Sequence, residues 1–512
     1  MSKGVYTILS SYTGDSDKYL SARLLLNKRL NSIRQINDFK KIHDKTLDTN
    51  YDPRPTLEDI SLTHNFAAVS TFKPHVAIAY EYFKTSKDGL GVIKLSDKST
   101  DIRFDLASNE GHWLNDMVLR IQFQDIGIQS NAPDDALRYR YCDLPGMRLL
   151  EKVAFNVDGV DVADYNTDDI TFNDFHIQAS KRLGYLRSMG REDVLPGEFY
   201  LVNQQVKQVL GFKNGAQTLK FYQPKLELWI PLLFWFNKDV HQSLQNIRIR
   251  TVQKYINIKL APLNKIIQAV DKNNKIIDDA IISFKIEGIE LYTKNIFVNH
   301  EVSELFNNRV ALSLIRINKS HSQILDTEEG NVHLNQLKYA IEYLKFGFKP
   351  LENENGDLSF DNWHKFAKIK INEVPHITVI NNPFIQPVQQ VVVRTINFTD
   401  STPVVDKVGF KAFGNIIYPQ IATAFYNRHL PLINPDLVSP EDIGKMIATF
   451  NLLPGNTEIT GHLGTSKARE FYLTYSAQGK IDSHNKVRLY VAAESIAFLY
   501  YDTNTIYLKY IT

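Results

Sequence analysis

From residue 56 onward, apolar side chains recur at every second position. Val76, Ile78, Tyr80 and Tyr82 alternate with small or polar neighbours; Met117, Leu119, Ile121 and Phe123 interleave with Val118, Arg120, Gln122 and Gln124; Val153, Phe155 and Val157 interleave with Ala154, Asn156 and Asp158. A period of two sends successive side chains to opposite faces of a pleated strand, so each run predicts a strand with one buried face. Asp158-Gly159, between Val157 and Val160, tolerates the positive torsions of a two-residue hairpin turn. Further strands are predicted at Lys225–Phe236, Asn246–Arg250, Tyr255–Leu260 and Ile289–Val298. The second half repeats the habit at Arg309–Ile317, Leu337–Phe346, Val391–Phe398, Met446–Leu452, Glu470–Tyr475, Val487–Ala492 and Thr505–Ile511. Trp229, Phe234, Trp235 and Phe236 fall on both alternating faces of their run, which predicts a strand buried on both sides.

Two segments break the period. Between Asp17 and Lys45, Leu20, Leu24, Leu26, Leu30, Ile33, Ile36 and Phe39 stand near helical spacing among Lys28, Arg29, Arg34, Lys40 and Lys41, a basic amphipathic helix. Pro53 and Pro55 close this N-terminal arm at residue 55. A short helical stretch at 300–308 then divides the strand-rich remainder into two β domains, 56–299 and 309–512, of about 200 residues each. Many short strands and almost no long helical pattern after residue 55 predict an all-β chain of sandwiches or barrels.

Charge and chemistry change this picture little. The chain has 59 basic and 57 acidic side chains among 512 residues, so it has no global field for nucleic acid or an anionic membrane. Cys142 is the only cysteine, which excludes an internal disulfide and a thiolate zinc site and suits a reducing compartment. The first residues lack the pattern of a secretory signal, and the longest apolar run, Leu226 to Phe236, is too short to span a membrane; a cytosolic protein is expected. Phosphate-binding glycine loops, the zinc-protease motif, the nucleophile elbow and the dinucleotide fingerprint are missing. Asp158, Asp161, Asp164, Asp168 and Asp169 sit in turn-rich sequence and read as solvated acids. His300 and His462 read as hydrogen-bonded structural residues. No catalytic, cofactor or metal site is expected.

Several segments, in order, resemble one family. They include Leu24-Leu25-Leu26-Asn27 with Arg29-Leu30-Asn31-Ser32-Ile33, and Tyr141-Cys142-Asp143-Leu144-Pro145-Gly146-Met147-Arg148-Leu149 leading into Val153 to Gly159. Phe221-Tyr222-Gln223-Pro224 then precedes Leu228-Trp229-Ile230 and Phe234-Trp235-Phe236-Asn237. Leu291 to Asn299, Leu312 to Arg316, Trp363-His364-Lys365-Phe366 and Ser466-Lys467-Ala468-Arg469-Glu470-Phe471-Tyr472 follow. Together they resemble the double jelly-roll major capsid proteins of nucleocytoplasmic large DNA viruses, and within these the African swine fever virus branch. Lys467 stands where that branch tends to carry Arg, and the stretches Asp101–Asn131 and Lys181–Thr218 look short beside its long outer loops.

The resemblance implies two consecutive eight-stranded jelly rolls behind a helical arm, and a major capsid protein, not an enzyme, without cofactor. It implies a homotrimer that meets neighbouring capsomers, penton and minor capsid proteins, a viral assembly chaperone, peripheral contact with an inner membrane and no direct contact with nucleic acid. Its place is the virion capsid, assembled in the host cytoplasm at a virus factory. A scaffolding double jelly-roll protein of immature virions, or a carbohydrate-binding jelly roll, are the alternatives such a fold admits. In the family the arm lies on the inner face of the shell, so Lys28, Arg29, Arg34, Lys40 and Lys41 are expected to meet acidic protein or anionic lipid there. Deleting residues 1–50 is expected to leave trimers that form but assemble poorly into shells, each basic side chain contributing about 1 kcal/mol near an anionic surface. Sedimentation of the truncated chain checks this, and failure to trimerise would place the arm in the subunit interface.

Overall fold

The computed structural model describes residues 78–510 apart from 87–92, 107–110, 129–135, 192–198, 203–204, 209–216, 218, 250–251, 273–274, 278–283, 299–311, 356–358, 381–389, 457, 468–469 and 502–505, with the strands at 199–208 and 370–400 described as backbone. The arm with its five basic residues and the helix expected at 300–308 lie outside the described residues.

Eight principal strands precede residue 299: β1 (Ile78–Ser86), β2 (Thr100–Leu106), β3 (Trp113–Phe123), β4 (Leu150–Val157), β5 (Val160–Asn166), β6 (Leu226–Pro231), β7 (Lys254–Leu260) and β8 (Phe284–Val298). Their sheets run in the order β1-β8-β3-β6 and β2-β7-β4-β5. Eight more follow residue 311: β9 (Leu312–Leu325), β10 (Glu329–His333), β11 (Ala340–Pro350), β12 (Lys407–Ala412), β13 (Asn415–Ala422), β14 (Lys445–Thr449), β15 (Phe471–Ser476) and β16 (Val487–Tyr501). They pair as β9-β16-β11-β14 and β10-β15-β12-β13, the same order, first strand beside last and second beside seventh. That order is a jelly roll, and it occurs twice. No described pairing joins a strand of one set to a strand of the other.

The period-two runs build the cores. Met117, Leu119, Ile121 and Phe123 of β3 face Val153, Phe155 and Val157 of β4 and Ile256 and Ile258 of β7 inside the first barrel. Leu344, Phe346 and Phe348 of β11, with Phe410, Leu473, Tyr475, Leu489 and Val491, fill the second. Asp158 and Gly159 take φ of 53° and 79° and turn β4 into β5, with Val157 opposite Val160.

Three expectations fail for local reasons. The strand predicted through Phe236 ends at Pro231; the chain then turns, held by the Asn237 side-chain amide, which donates to the carbonyls of Met117 (3.1 Å) and Leu232 (2.6 Å). Phe234, Trp235 and Phe236 are buried in that turn, whereas Trp229 is 38% exposed on the outward face of β6. Asn246–Arg248 forms a 3₁₀ turn instead of a strand, because Asn246 is turned inward to donate to the Gly111 carbonyl and accept from the Lys254 ammonium. Tyr80 and Tyr82 lie on the outward face of β1, not the buried one.

The second barrel is also clamped by one buried acid. Asp442 accepts from the backbone amides of Phe366 (2.5 Å), Ala367 (3.1 Å) and Gly444 (3.0 Å), drawing two distant loops together. A Cβ at Gly444 would press on the Phe366 carbonyl and Ala367 amide closer than any real side chain allows. Gly444→Ala is therefore expected to cost about 3 kcal/mol, the upper end for overpacking, read as a lowered midpoint in thermal unfolding.

Candidate assembly surfaces

The first barrel grips the second through one short segment. Asn166 ends β5 and caps the helix Thr167–Thr171: its side chain accepts from the Asp169 amide (3.1 Å) while Asp169 accepts from the Asn166 amide (3.0 Å). The 3₁₀ turn Phe172–His176 follows. This segment lies on the outward face of β11, β14 and β16. Asp168 binds Lys349 (3.1 Å) and Arg488 (2.7 Å), Tyr490 donates to Asp169 (2.9 Å), and Lys445 donates to Asp174 (2.6 Å) and the Thr171 carbonyl (2.7 Å). Phe172 stacks on Tyr490, and Tyr343 meets His176 at 3.3 Å. Beside them Lys238, from the β6–β7 connection, pairs with Glu494, which also faces Lys345 at 3.6 Å. Because the strands have their own core behind and this segment in front, every residue of β11 is buried.

Desolvation and pairing compete at this joint. Burial raises the Glu494 and Asp168 carboxyls, but Lys238 and Lys345 for the first, and Lys349 and Arg488 for the second, outweigh it and hold both below the usual carboxylate range. Asp169 has no such partner at contact distance, and burial pushes it up to about 6. Burial likewise pushes the His176 imidazole down to about 3, so it is neutral. A cleft of about 390 Å³ opens between the barrels, lined by His176, Lys238, Asp239, Arg316, Tyr343 and Asp436. Its two strongest cations are already engaged, Lys238 with Glu494 and Arg316 with Glu342 (2.5 Å), so the chemistry available is that of a joint.

No described residue covers the corresponding outward face of the first barrel at Tyr80 and Tyr82. Arg120 of β3 lies between Glu227 (3.0 Å) and Glu290 (2.9 Å) and over the Trp229 ring, Trp229 stacks near Tyr292, and Lys294 lies over Tyr80. Exposed aromatics with an ordered Arg are the composition of an interface.

Asp168 and Asp169, read from sequence as solvated acids, form the joint, Asp169 buried and Asp168 partly buried; Asp158 and Asp161 are exposed. Asn166-x-x-Asp169 is a helix-start pattern that could have flagged the segment, but nothing local announces Lys349 or Arg488 as its partners. His462 is buried. Cys142 is buried, its thiol pushed up to about 12 by desolvation. Among the described residues, no group of three His, Cys, Asp or Glu could hold a metal, and no helix is long and apolar enough to cross a membrane.

The joint should depend on pH. Glu494 and Asp168, held low, contribute stability that is present above the ordinary carboxylate range and lost as the pH falls through their lowered values. Asp169 works oppositely: its contribution is full below about 4 and lost as the pH rises through about 6. Glu494→Gln strands the Lys345 ammonium and is expected to cost about 3–5 kcal/mol at neutral pH. Denaturant unfolding from pH 7 to pH 3 should show that loss and a flatter acid limb in the variant.

No family model matches the chain. It is 25% identical to the major capsid protein of African swine fever virus over 664 aligned positions, covering all of both chains, and equally so to the hexon protein p72 of another isolate. An alignment longer than this chain leaves the relatives with segments that this chain lacks. Among solved structures, the Faustovirus major capsid protein superposes with a TM-score of 0.71 at 23% identity, covering 96% of this chain and 100% of that one. PBCV-1 VP54 superposes with 0.58 at 14%, covering 86% and 98%. The chain is thus similar from end to end in sequence to the major capsid protein of African swine fever virus, and in space it has the double jelly-roll fold of the Faustovirus and PBCV-1 capsid proteins.

Proposed function

We propose that the chain works as a shell brick: three copies close around a threefold axis, and their six similar barrels give a nearly hexagonal outline that tiles flat facets. The observation that carries this reading is the repeated strand order on one chain, joined by a buried ionic seam that holds the two barrels in one relation. A six-barrelled ring needs that rigidity, since heterologous contacts close only when each turn is fixed. We assign 56–299 and 309–512 to the two barrels, 1–55 to the arm and 300–308 to the link between barrels. The arm, through Lys28, Arg29, Arg34, Lys40 and Lys41, faces minor capsid proteins and the inner membrane; pentons and neighbouring capsomers meet the sides, and assembly takes place in the cytoplasm with a viral chaperone.

The purified chain should scatter light as a particle of three times 58.8 kDa with little folded monomer, because an obligate interface ties folding to concentration. A stable monomer across the micromolar range would count against the brick.

A further inference from the structure

The two barrels share a strand order but not their contacts. In the first barrel, the connection from fifth to sixth strand supplies Asn166 to His176, and the connection from sixth to seventh supplies Lys238; both lie on the outward face of β11 and β16. The counterparts in the second barrel are the β13–β14 connection, with its helix Leu430–Ile433, and the β14–β15 connection, which starts at Phe450. Each presents a leucine to solvent. Leu432 is 80% exposed and Leu452 81%, the most exposed large apolar side chains among the described residues. The two connections run side by side, Gly455 lying against Asp436.

The surface these connections would need also exists. The outward face of β1, β3, β6 and β8 is the first barrel's counterpart of the face covered in the second. It carries Tyr80 at 64% exposure, Tyr82 at 55% and the half-exposed Trp229. The β13–β14 connection also touches the first barrel, Val438 donating to the Phe175 carbonyl (2.8 Å) and Glu441 pairing with Arg182 (2.9 Å), so among the described residues of one chain what stays uncovered is the Leu432 and Leu452 side chains and the Tyr80, Tyr82 and Trp229 face.

We propose that the leftovers meet between copies: Leu432 and Leu452 of one chain seat on the Tyr80, Tyr82 and Trp229 face of the next, repeating the joint that the first barrel makes with the second. The inference rests on the trimer reading and adds which surfaces close it. The contact is heterologous, so each copy uses one grip and one face, and a ring of alternating internal and external joints leaves neither exposed. Where the internal joint is ionic, this one is apolar and aromatic, the composition of the core of an interface between copies.

Light scattering on a Leu432→Glu, Leu452→Glu double variant tests it. The expected result is a fall from three times 58.8 kDa to 58.8 kDa, while Ile416→Glu, exposed on β13 in the other sheet, stays trimeric. A second arm avoids any doubt about folding. Tyr82→Cys and Leu432→Cys on one chain, treated with a short bis-maleimide, should give a covalent trimer, and either change alone should give no cross-link, because buried Cys142 is unreactive. A trimeric double glutamate variant, or Leu432→Cys cross-linking to itself, would overturn the proposal while leaving the trimer standing. A monomeric parent protein would instead remove the trimer reading and this inference with it.

Discussion

The arrangement of the two barrels depends on one partly buried carboxylate, Asp168, held between Lys349 and Arg488. Lys349 is buried and the other two largely desolvated, and none could stay so alone, since an unpaired ion loses several kilocalories per mole of hydration. Together they are satisfied only when the helix Thr167–Thr171 sits at one place on the face of β11 and β16. Around that point Tyr490, Lys445, Lys238 and Glu494 add bonds that each require the same placement. An apolar seam would hold the barrels as strongly, but it would let them slide; charge-assisted bonds restrict the register.

Rigidity of this kind suits a protein whose work is geometric. A shell facet tolerates little variation in the angle between neighbouring barrels, and a joint of buried ion pairs and stacked rings resists shear better than a linker does. The jelly-roll order has its own consequence. Its first strand pairs with its last, so β1 waits for β8, and β9 for β16, before either sheet can close. Such non-local pairing makes folding slow and leaves strand edges open meanwhile.

The outward faces of the two barrels occupy the same place in the strand order and differ in charge. In the second barrel, β11 and β16 offer Lys349 and Arg488 to acids from the first. In the first barrel, Glu227 of β6 and Glu290 of β8 neutralise Arg120 of β3, and aromatic rings lie outermost. A face neutral in itself cannot attract the acidic segment that the other face binds, which keeps the two joints from being exchanged.

The sequence by itself determined the strands, because alternation of apolar and polar side chains is a local property of the chain and burial of one face follows from it. Met117 to Phe123, Val153 to Val157 and the Asp158-Gly159 turn were legible for that reason, as was the family resemblance, carried by short segments in one order. Only the tertiary structure decided what lies against each face. In β11 Lys345 and Lys349 are buried although charged, and Tyr80 and Tyr82, which the alternation predicts inward, face outward. Asp168 looks like a surface acid because its partner Arg488 stands 320 residues away. Periodicity tells that a strand has two faces, but whether water or another segment covers the polar one depends on where a distant part of the chain comes to rest.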